Sequence, residues 1–180
     1  MVKLELVDRS NENVVTEELI IKKSKFIAKV YYIANQEQAE EIIAKNREEY
    51  KDARHVVYAY TLKSSGRFTD DKEPQGTAGK PIYSLLEKEN VINTLIIVIR
   101  YFGGILLGAG PLTRAYSTVA KEALARCEKK EYIEYDTKTL ECEYKEEEQT
   151  TRTLKQQGCI IENIIYTDKV TIEYLEPKEV

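Results

Sequence analysis

Six of the eight glycines in this 180-residue chain lie between residues 76 and 110, in two stretches that each precede a helical pattern. The stretches are DDKEPQGTAGKP, residues 70–81, and FGGILLGAG, residues 102–110. Free N–H groups and the dipole at a helix N-terminus can hold an anion, so the pattern favours a phosphate site. Neither G-x-x-x-x-G-K-[ST] nor G-x-G-x-x-G is present, and tight turns or close strand–helix packing are the alternative use of these glycines.

Basic and aromatic side chains adjoin both stretches, a mixture that can bind phosphates and stack on bases. The candidate phosphate- or nucleic-acid-binding residues are Arg67, Gly76, Thr77, Gly79, Lys80, Arg100, Tyr101, Phe102, Gly103, Gly104, Gly108, Gly110 and Arg114. A further basic segment, KKSKF at residues 22–26, lies upstream. The alternative is structural, because Tyr and Phe are ordinary core residues and Arg100 could pair with an acid of the first stretch.

Three acids of the first stretch, Asp70, Asp71 and Glu73, could bind a divalent cation or act as acid and base. Adjacent carboxylates in loops are also commonly just solvated. Ser117 has no G-x-S-x-G context, and His55 is the single histidine, so no Ser/His/Asp triad can be assembled. The sequence predicts neither a cofactor nor a metal in the main interpretation.

Composition favours a globular protein, with 42% apolar and 32% charged residues. The longest apolar run, Leu95–Ile99, is too short for a membrane span, and we expect a cytoplasmic protein without membrane partners. The three cysteines are widely spaced and form no C-x-x-C, which argues against a disulfide framework or a zinc site.

Charge is divided unevenly along the chain. Residues 1–129 carry 20 Lys/Arg and 18 Asp/Glu, a net charge of +2, whereas residues 130–180 carry 7 and 13, a net charge of −6. The acidic C-terminal part is therefore not expected to contact phosphate backbones, whereas the first part could cluster its cations locally.

The hydrophobic pattern of the first part predicts antiparallel strands between residues 3 and 33, with a turn at NEN, residues 11–13. It then predicts a helix near 36–50 capped by Asn35, a strand at 55–62 followed by a loop, a helix at about 78–89, a buried strand at 94–101, and a long helix with Pro111 at its first position.

The second part begins near residue 130, after a short strand-like segment. Its pattern is a strand at 139–144, a helix at 146–157 ended by Gly158, and strands at 159–166 and 169–175. This is the βαββ start of a ferredoxin-like unit, and we expect the uncovered strand edge to rest on the first domain or on a second copy of the chain.

DDKEPQGTAGKP, followed by RYFGGILLGAGPLTRAYS, which contains the second stretch, closely resembles the IMPACT/YigZ family. The motifs of this family are D-D-G-E-P-x-G-T-A-G-K-P and R-Y-F-G-G-x-x-L-G-x-G-G-L-x-R-A-Y. KKSKFIAKV and ARHVVYAY match two further family motifs, so the resemblance covers about residues 20–128. Three positions depart from it, since Lys72 replaces a glycine, Leu106 a frequent lysine, and Pro111 a glycine.

The resemblance implies an α+β fold in two domains. Residues 1–130 would resemble the second domain of a small-subunit ribosomal protein, and residues 131–180 the small ferredoxin-like fifth domain of elongation factor G. Both relatives work on RNA, and eukaryotic members of the family are linked to control of translation.

The main functional hypothesis is a non-enzymatic module that binds RNA or the ribosome, through phosphate held in a cleft between the two glycine stretches. One alternative is a Mg-dependent phosphotransferase or hydrolase using Asp70, Asp71 and Glu73. The other is a protein-interaction regulator whose motifs are purely structural. Under any of these hypotheses we expect a monomer or a homodimer.

A truncation to residues 1–130 tests which part of the chain binds RNA and which part contributes to stability or dimerisation. Because the acidic part should repel RNA, we expect this piece to retain RNA affinity and to lose stability or dimerisation. Filter binding and thermal denaturation measure the two effects, and RNA binding confined to residues 131–180 would contradict the assignment.

Overall fold

The structure is a computed structural model that describes residues 2–7 and 15–178. The turn predicted at 11–13 lies outside these ranges. The chain divides into two compact units, residues 1–132 and 133–180. No helix within the described ranges is long and apolar enough to cross a membrane.

The first unit contains three helices and eight strands within its described residues. In chain order they are β1 (Leu4–Leu6), β2 (Val15–Ile21), β3 (Ser24–Tyr32), α1 (Gln36–Glu49), β4 (His55–Thr61), β5 (Gly66–Thr69), α2 (Gly79–Lys88), β6 (Val91–Ile92), β7 (Thr94–Tyr101), α3 (Ala109–Ala125) and β8 (Lys129–Glu131).

Strand β7 lies at the centre of a five-stranded antiparallel sheet with the order β2-β3-β7-β4-β5. Helices α2 and α3 pack on one face of this sheet, and α1 packs on the other. Residues of β7 are buried on both faces, which explains why its sequence is an almost continuous apolar run. The mixed α+β fold of the first unit agrees with the prediction.

Strand β5 differs from the sequence prediction, which places SSGRF in a loop. It forms a hairpin with β4 and extends the sheet by one short edge strand. A second, three-stranded sheet with the order β6-β1-β8 is also not predicted as a unit. Its strands have two or three residues each, too few for a periodic signal.

Helix ends follow local chemistry. Asn35 caps α1 as predicted, since its side chain accepts the N–H of Gln38, and the Gln38 side chain in turn accepts the N–H of Ala34. The third helix begins at Ala109, so Pro111 occupies its third position instead of the predicted first.

The second unit contains β9 (Tyr135–Cys142), a 3₁₀ turn (Tyr144–Glu146), α4 (Glu147–Gln156), β10 (Ile160–Tyr166) and β11 (Val170–Pro177). Its strands form an antiparallel sheet with the order β10-β11-β9, the βαββ arrangement that the sequence predicts. Leu154 is the single buried residue of α4 among those described, so the helix covers the sheet thinly. Gly158, with φ of 82°, follows the end of this helix in the left-handed conformation.

Close packing against the backbone of β5 leaves no room for a side chain at Gly79. A Cβ atom there would lie 2.2 Å from the backbone oxygen of Thr69, whereas a Cβ at Gly110 would meet nothing nearer than the Arg114 Nη1 at 3.8 Å.

We therefore expect Gly79→Ala to lower the free energy of unfolding by about 3 kcal/mol. Gly110→Ala, the matched control on the other helix, should leave stability unchanged or raise it slightly, because alanine favours the helix. Urea denaturation of both variants measures the difference, and equal stabilities would contradict the packing described.

Candidate functional site

Both glycine stretches lie at one end of the large sheet, which we call the loop end. Here Lys22 and Lys23 join β2 to β3, β4 begins at His55, and β7 ends at Tyr101. The N–H of Arg54 donates to the carbonyl of Arg100, which ties the start of β4 to the end of β7. The topology therefore brings together segments that are far apart in the sequence.

Asp70 occupies the N-terminus of α2. Its carboxylate accepts the backbone N–H groups of Gly76 at 2.8 Å, Ala78 at 3.1 Å and Gly79 at 2.8 Å. The helix end that the sequence offers to an external anion is thus filled by an anion of the chain itself.

Asp71 fixes the start of β4. Its carboxylate accepts the N–H of Val56 at 2.6 Å, and its carbonyl lies 2.6 Å from Nδ1 of His55. Because a carbonyl oxygen can only accept, His55 carries a proton on Nδ1. Asp71 and Lys72 both have positive φ, 43° and 66°, so the turn keeps a left-handed conformation although lysine has replaced the family's glycine.

Glu73 lies at the centre of a buried polar group that we call the Glu73 cluster: His55, Glu73, Arg100 and Tyr116. The Glu73 Oε1 accepts Nη1 of Arg100 at 2.5 Å and the hydroxyl of Tyr116 at 2.9 Å, and lies 3.7 Å from Nε2 of His55. The cluster joins the first glycine stretch to β4, β7 and α3. The pairing that the sequence left open for Arg100, with an acid of the first stretch, is the arrangement observed.

Two aromatic rings cover the Arg100 guanidinium. Its central carbon lies 5.4 Å from the centre of the Phe26 ring and 5.7 Å from that of Phe102. Phe26 in turn meets Tyr116 edge to face, with 5.2 Å between ring centres. Arg100 is only 5% exposed, so this side chain contributes to the site by positioning its neighbours.

The second glycine stretch packs on the β2–β3 turn. A Cβ at Gly103 would lie 2.1 Å from the carbonyl carbon of Lys23, and the N–H of Gly103 donates to the Ser24 hydroxyl. Gly104 and Gly108 have φ of 85° and 83°, with open space around the position of a Gly104 Cβ. Close packing and left-handed turns thus account for these glycines, and the open surface at Gly104 also allows a ligand to approach the backbone.

The N-terminus of α3 differs from that of α2. Gly108 precedes the helix, and no side chain among the described residues caps it. Lys80, in the first turn of α2, and Arg114, in the second turn of α3, are both exposed. These two predicted cations remain accessible at the loop end.

Four more exposed cations at the loop end are absent from the predicted site: Lys22, Lys23, Arg54 and Lys72. With Lys80 and Arg114 they make six, and none forms an ion pair with a residue that the structure describes. The sequence contains a signal for Lys22 and Lys23, because they lie between two segments of alternating polarity. That position predicts a two-residue hairpin turn with both lysines at its exposed tip.

Three of the predicted binding residues are engaged in other contacts or belong to another part of the sheet. Tyr101 packs with the α1 side of the sheet, and its hydroxyl donates to Asp52. Arg67 lies opposite Tyr60, a member of the same α1-side core. Thr77 is buried, and its hydroxyl donates to the Pro74 carbonyl.

The three acids of the first stretch point to different partners, as described above for Asp70, Asp71 and Glu73. In the described part of the chain, no group of three or more His, Cys, Asp or Glu side chains is arranged to hold a metal ion.

The segments that carry the motifs meet in one buried cluster on a five-stranded antiparallel sheet. The family described as the Impact N-terminal domain matches residues 22–124, more than half of the chain. The chain belongs to the IMPACT family.

Among its relatives, an IMPACT family member of Thermus thermophilus is 41% identical over 116 residues, which cover 64% of this chain and 63% of that protein. YvyE, an IMPACT family member of Bacillus subtilis, is 32% identical over 90% of this chain and 76% of its own length. A crystal structure of a hypothetical protein is 32% identical with a TM-score of 0.70, covering 98% of this chain and 86% of that one. The match thus spans less than two thirds of the Thermus protein.

The Glu73 cluster also makes the free energy of unfolding depend on pH in the alkaline range. Burial of the phenol and the nearby Glu73 carboxylate raise the pKa of Tyr116 far above its ordinary value. A raised pKa favours the neutral phenol in the folded state, so this contribution is complete below the unfolded pKa of about 10 and declines as the pH rises further.

We expect the free energy of unfolding to fall above about pH 10, with Tyr116 responsible for up to about 1.4 kcal/mol per pH unit. Tyr116→Phe should remove this share of the slope and cost about 1 kcal/mol at neutral pH through the missing hydrogen bond. Urea denaturation across the alkaline range checks this, and an alkaline slope identical to the wild type would contradict the burial of Tyr116.

Proposed function

We propose that the chain is a nucleic-acid- or ribosome-binding module that takes part in the regulation of translation, and that the loop end contacts phosphates. One observation carries the proposal. Six exposed cations, Lys22, Lys23, Arg54, Lys72, Lys80 and Arg114, surround this end of the sheet without ion-pair partners among the described residues.

Three acids of the loop end, Asp70, Asp71 and Glu73, do not pair with these cations, because their carboxylates are hydrogen-bonded within the fold. Asp70 accepts three N–H groups of α2, Asp71 accepts from Val56, and Glu73 is buried against Arg100. Outward cations and inward anions together favour attraction of a polyanion.

The uncapped N-terminus of α3 supports the same interpretation. The N–H groups of Ala109 and Gly110 begin the helix, and Gly104 leaves open space in the preceding loop. A phosphate could approach the backbone there with little steric hindrance, close to the exposed Arg114. This position replaces the predicted cleft between two open helix ends, because Asp70 fills the other one.

Translation is the setting we propose because the family resemblance implies it through the link of eukaryotic relatives to translational control. The second unit, with its excess of acids, would contribute through a protein contact instead of through RNA. A cytoplasmic location is part of the proposal.

Affinity for a structured RNA should fall steeply with salt, since each phosphate contact releases counterions. The double variant Lys22→Gln/Lys23→Gln should weaken binding by about 1–3 kcal/mol and reduce the logarithmic salt slope by about 1 for each lysine–phosphate interaction that it removes. Fluorescence anisotropy over a series of salt concentrations measures both quantities.

The matched control is Lys88→Gln/Lys121→Gln, which removes the same charge near the end of α2 and far along α3. Its affinity should stay close to that of the wild type. Equal reductions in affinity in the two double variants would show a non-specific charge effect, and salt-independent binding would exclude phosphate contacts.

A further inference from the structure

We propose that Phe102 is a platform on which an unpaired base stacks, so that the ligand of the loop end is single-stranded or looped RNA. The inference rests on the proposed function and specifies the form of RNA that the site would recognise.

Phe102 is exposed although it directly follows the buried central strand. It retains 42% of its surface, whereas Arg100, two residues earlier, is 5% exposed. The aromatic side chain thus lies at the surface among the cations of the loop end. Phenylalanine side chains are more often buried.

The Phe102 ring is in contact with the side chain of Arg100. The guanidinium lies over the Phe102 ring, and the Glu73 carboxylate fixes the guanidinium through Nη1. This cation–π contact restrains the ring compared with a side chain free in solvent. Stacking on such a ring costs less conformational entropy than stacking on a mobile side chain.

The surroundings of the ring fit a nucleotide. Gly103 and Gly104 follow directly and carry no side chain that could block a flat base. The close approach of Gly103 to the Lys23 backbone brings the Lys22–Lys23 turn beside the ring, so cations stand where the phosphates flanking a stacked base would pass. A base inside a duplex is already stacked on both faces and cannot use this surface.

Ile105 and Leu106 are also exposed. An exposed apolar loop can also dock a protein, which is the alternative occupant of this surface. The interaction of Arg100 with Phe102 and the adjacent cations favour the base. The two interpretations differ in which side chain matters, because stacking requires the ring of Phe102 and an apolar interface would also require Leu106.

The test uses the full chain with a short single-stranded RNA that contains one 2-aminopurine, and with a duplex of the same length. Anisotropy gives the affinity, and quenching of 2-aminopurine reports stacking. Phe102→Leu should weaken single-strand binding by about five- to 100-fold and abolish the quenching, with duplex binding unchanged, and Phe102→Tyr should retain both signals.

Phe68→Leu is the matched control, since Phe68 is 40% exposed in β5 and contacts Tyr83 at the edge of the sheet. Single-strand binding by this variant and by Leu106→Ser should match that of the wild type, which would support the platform. Equal weakening in Leu106→Ser and Phe102→Leu would overturn it in favour of a general apolar surface.

Unchanged affinity and quenching in Phe102→Leu, with binding still weakened in Lys22→Gln/Lys23→Gln, would overturn the platform and leave the proposed function standing. Absence of binding to both RNAs by the wild type would overturn the two together.

Discussion

The hydrogen bond between the Glu73 carboxylate and the Arg100 guanidinium is the constraint on which the loop end depends. It joins the first glycine stretch to the end of the central strand, with Tyr116 of α3 and His55 of β4 as further neighbours. Burying two charges is costly, so the pair adds little net stability compared with an apolar core of the same shape. We infer that its effect is specificity of the loop conformation, because either charge without the other would be buried and uncompensated. The alternative loop arrangements that separate them are thereby disfavoured.

This constraint explains how a motif can be highly specific in its residues while exposing few of them. Asp70, Asp71 and Glu73 all point inward, to the start of α2, the start of β4 and Arg100 respectively. Because these three acids are hydrogen-bonded within the fold, none of them forms an ion pair with the outward cations of the loop end. The buried polar network and the charged surface are therefore two consequences of the same arrangement.

The sequence predicts elements whose signals are local, and it fails where partners are distant. Helix α3 and strand β7 are expected because their periodicity and apolar run are strong, and the βαββ order of the second unit follows similarly. Strand β5 and the β6-β1-β8 sheet depend on pairing across the chain, which a short sequence window does not contain.

Within the site, the two glycine stretches can be located from the sequence, but the direction of each side chain cannot be read from composition alone. Strand alternation does place Tyr101 on the opposite face from Arg100, and applying it would have removed Tyr101 from the predicted set. The Asp70 cap could not have been found in the same way, because its acceptor and donors are six to nine residues apart.

Backbone conformation adds an independent argument for the importance of the cations. Lys22 and Lys23 form a two-residue turn with φ of 45° and 66°, and Lys72 has φ of 66° beside Asp71. Glycine or asparagine would adopt these conformations more readily, and each lysine costs about 1 kcal/mol in comparison. Two separate turns at the loop end thus carry lysine where a smaller residue would stabilise the fold. Non-glycine residues in the left-handed region occur preferentially at functional sites, and all three of these lysines are exposed at the loop end, which agrees with the phosphate contacts that we propose.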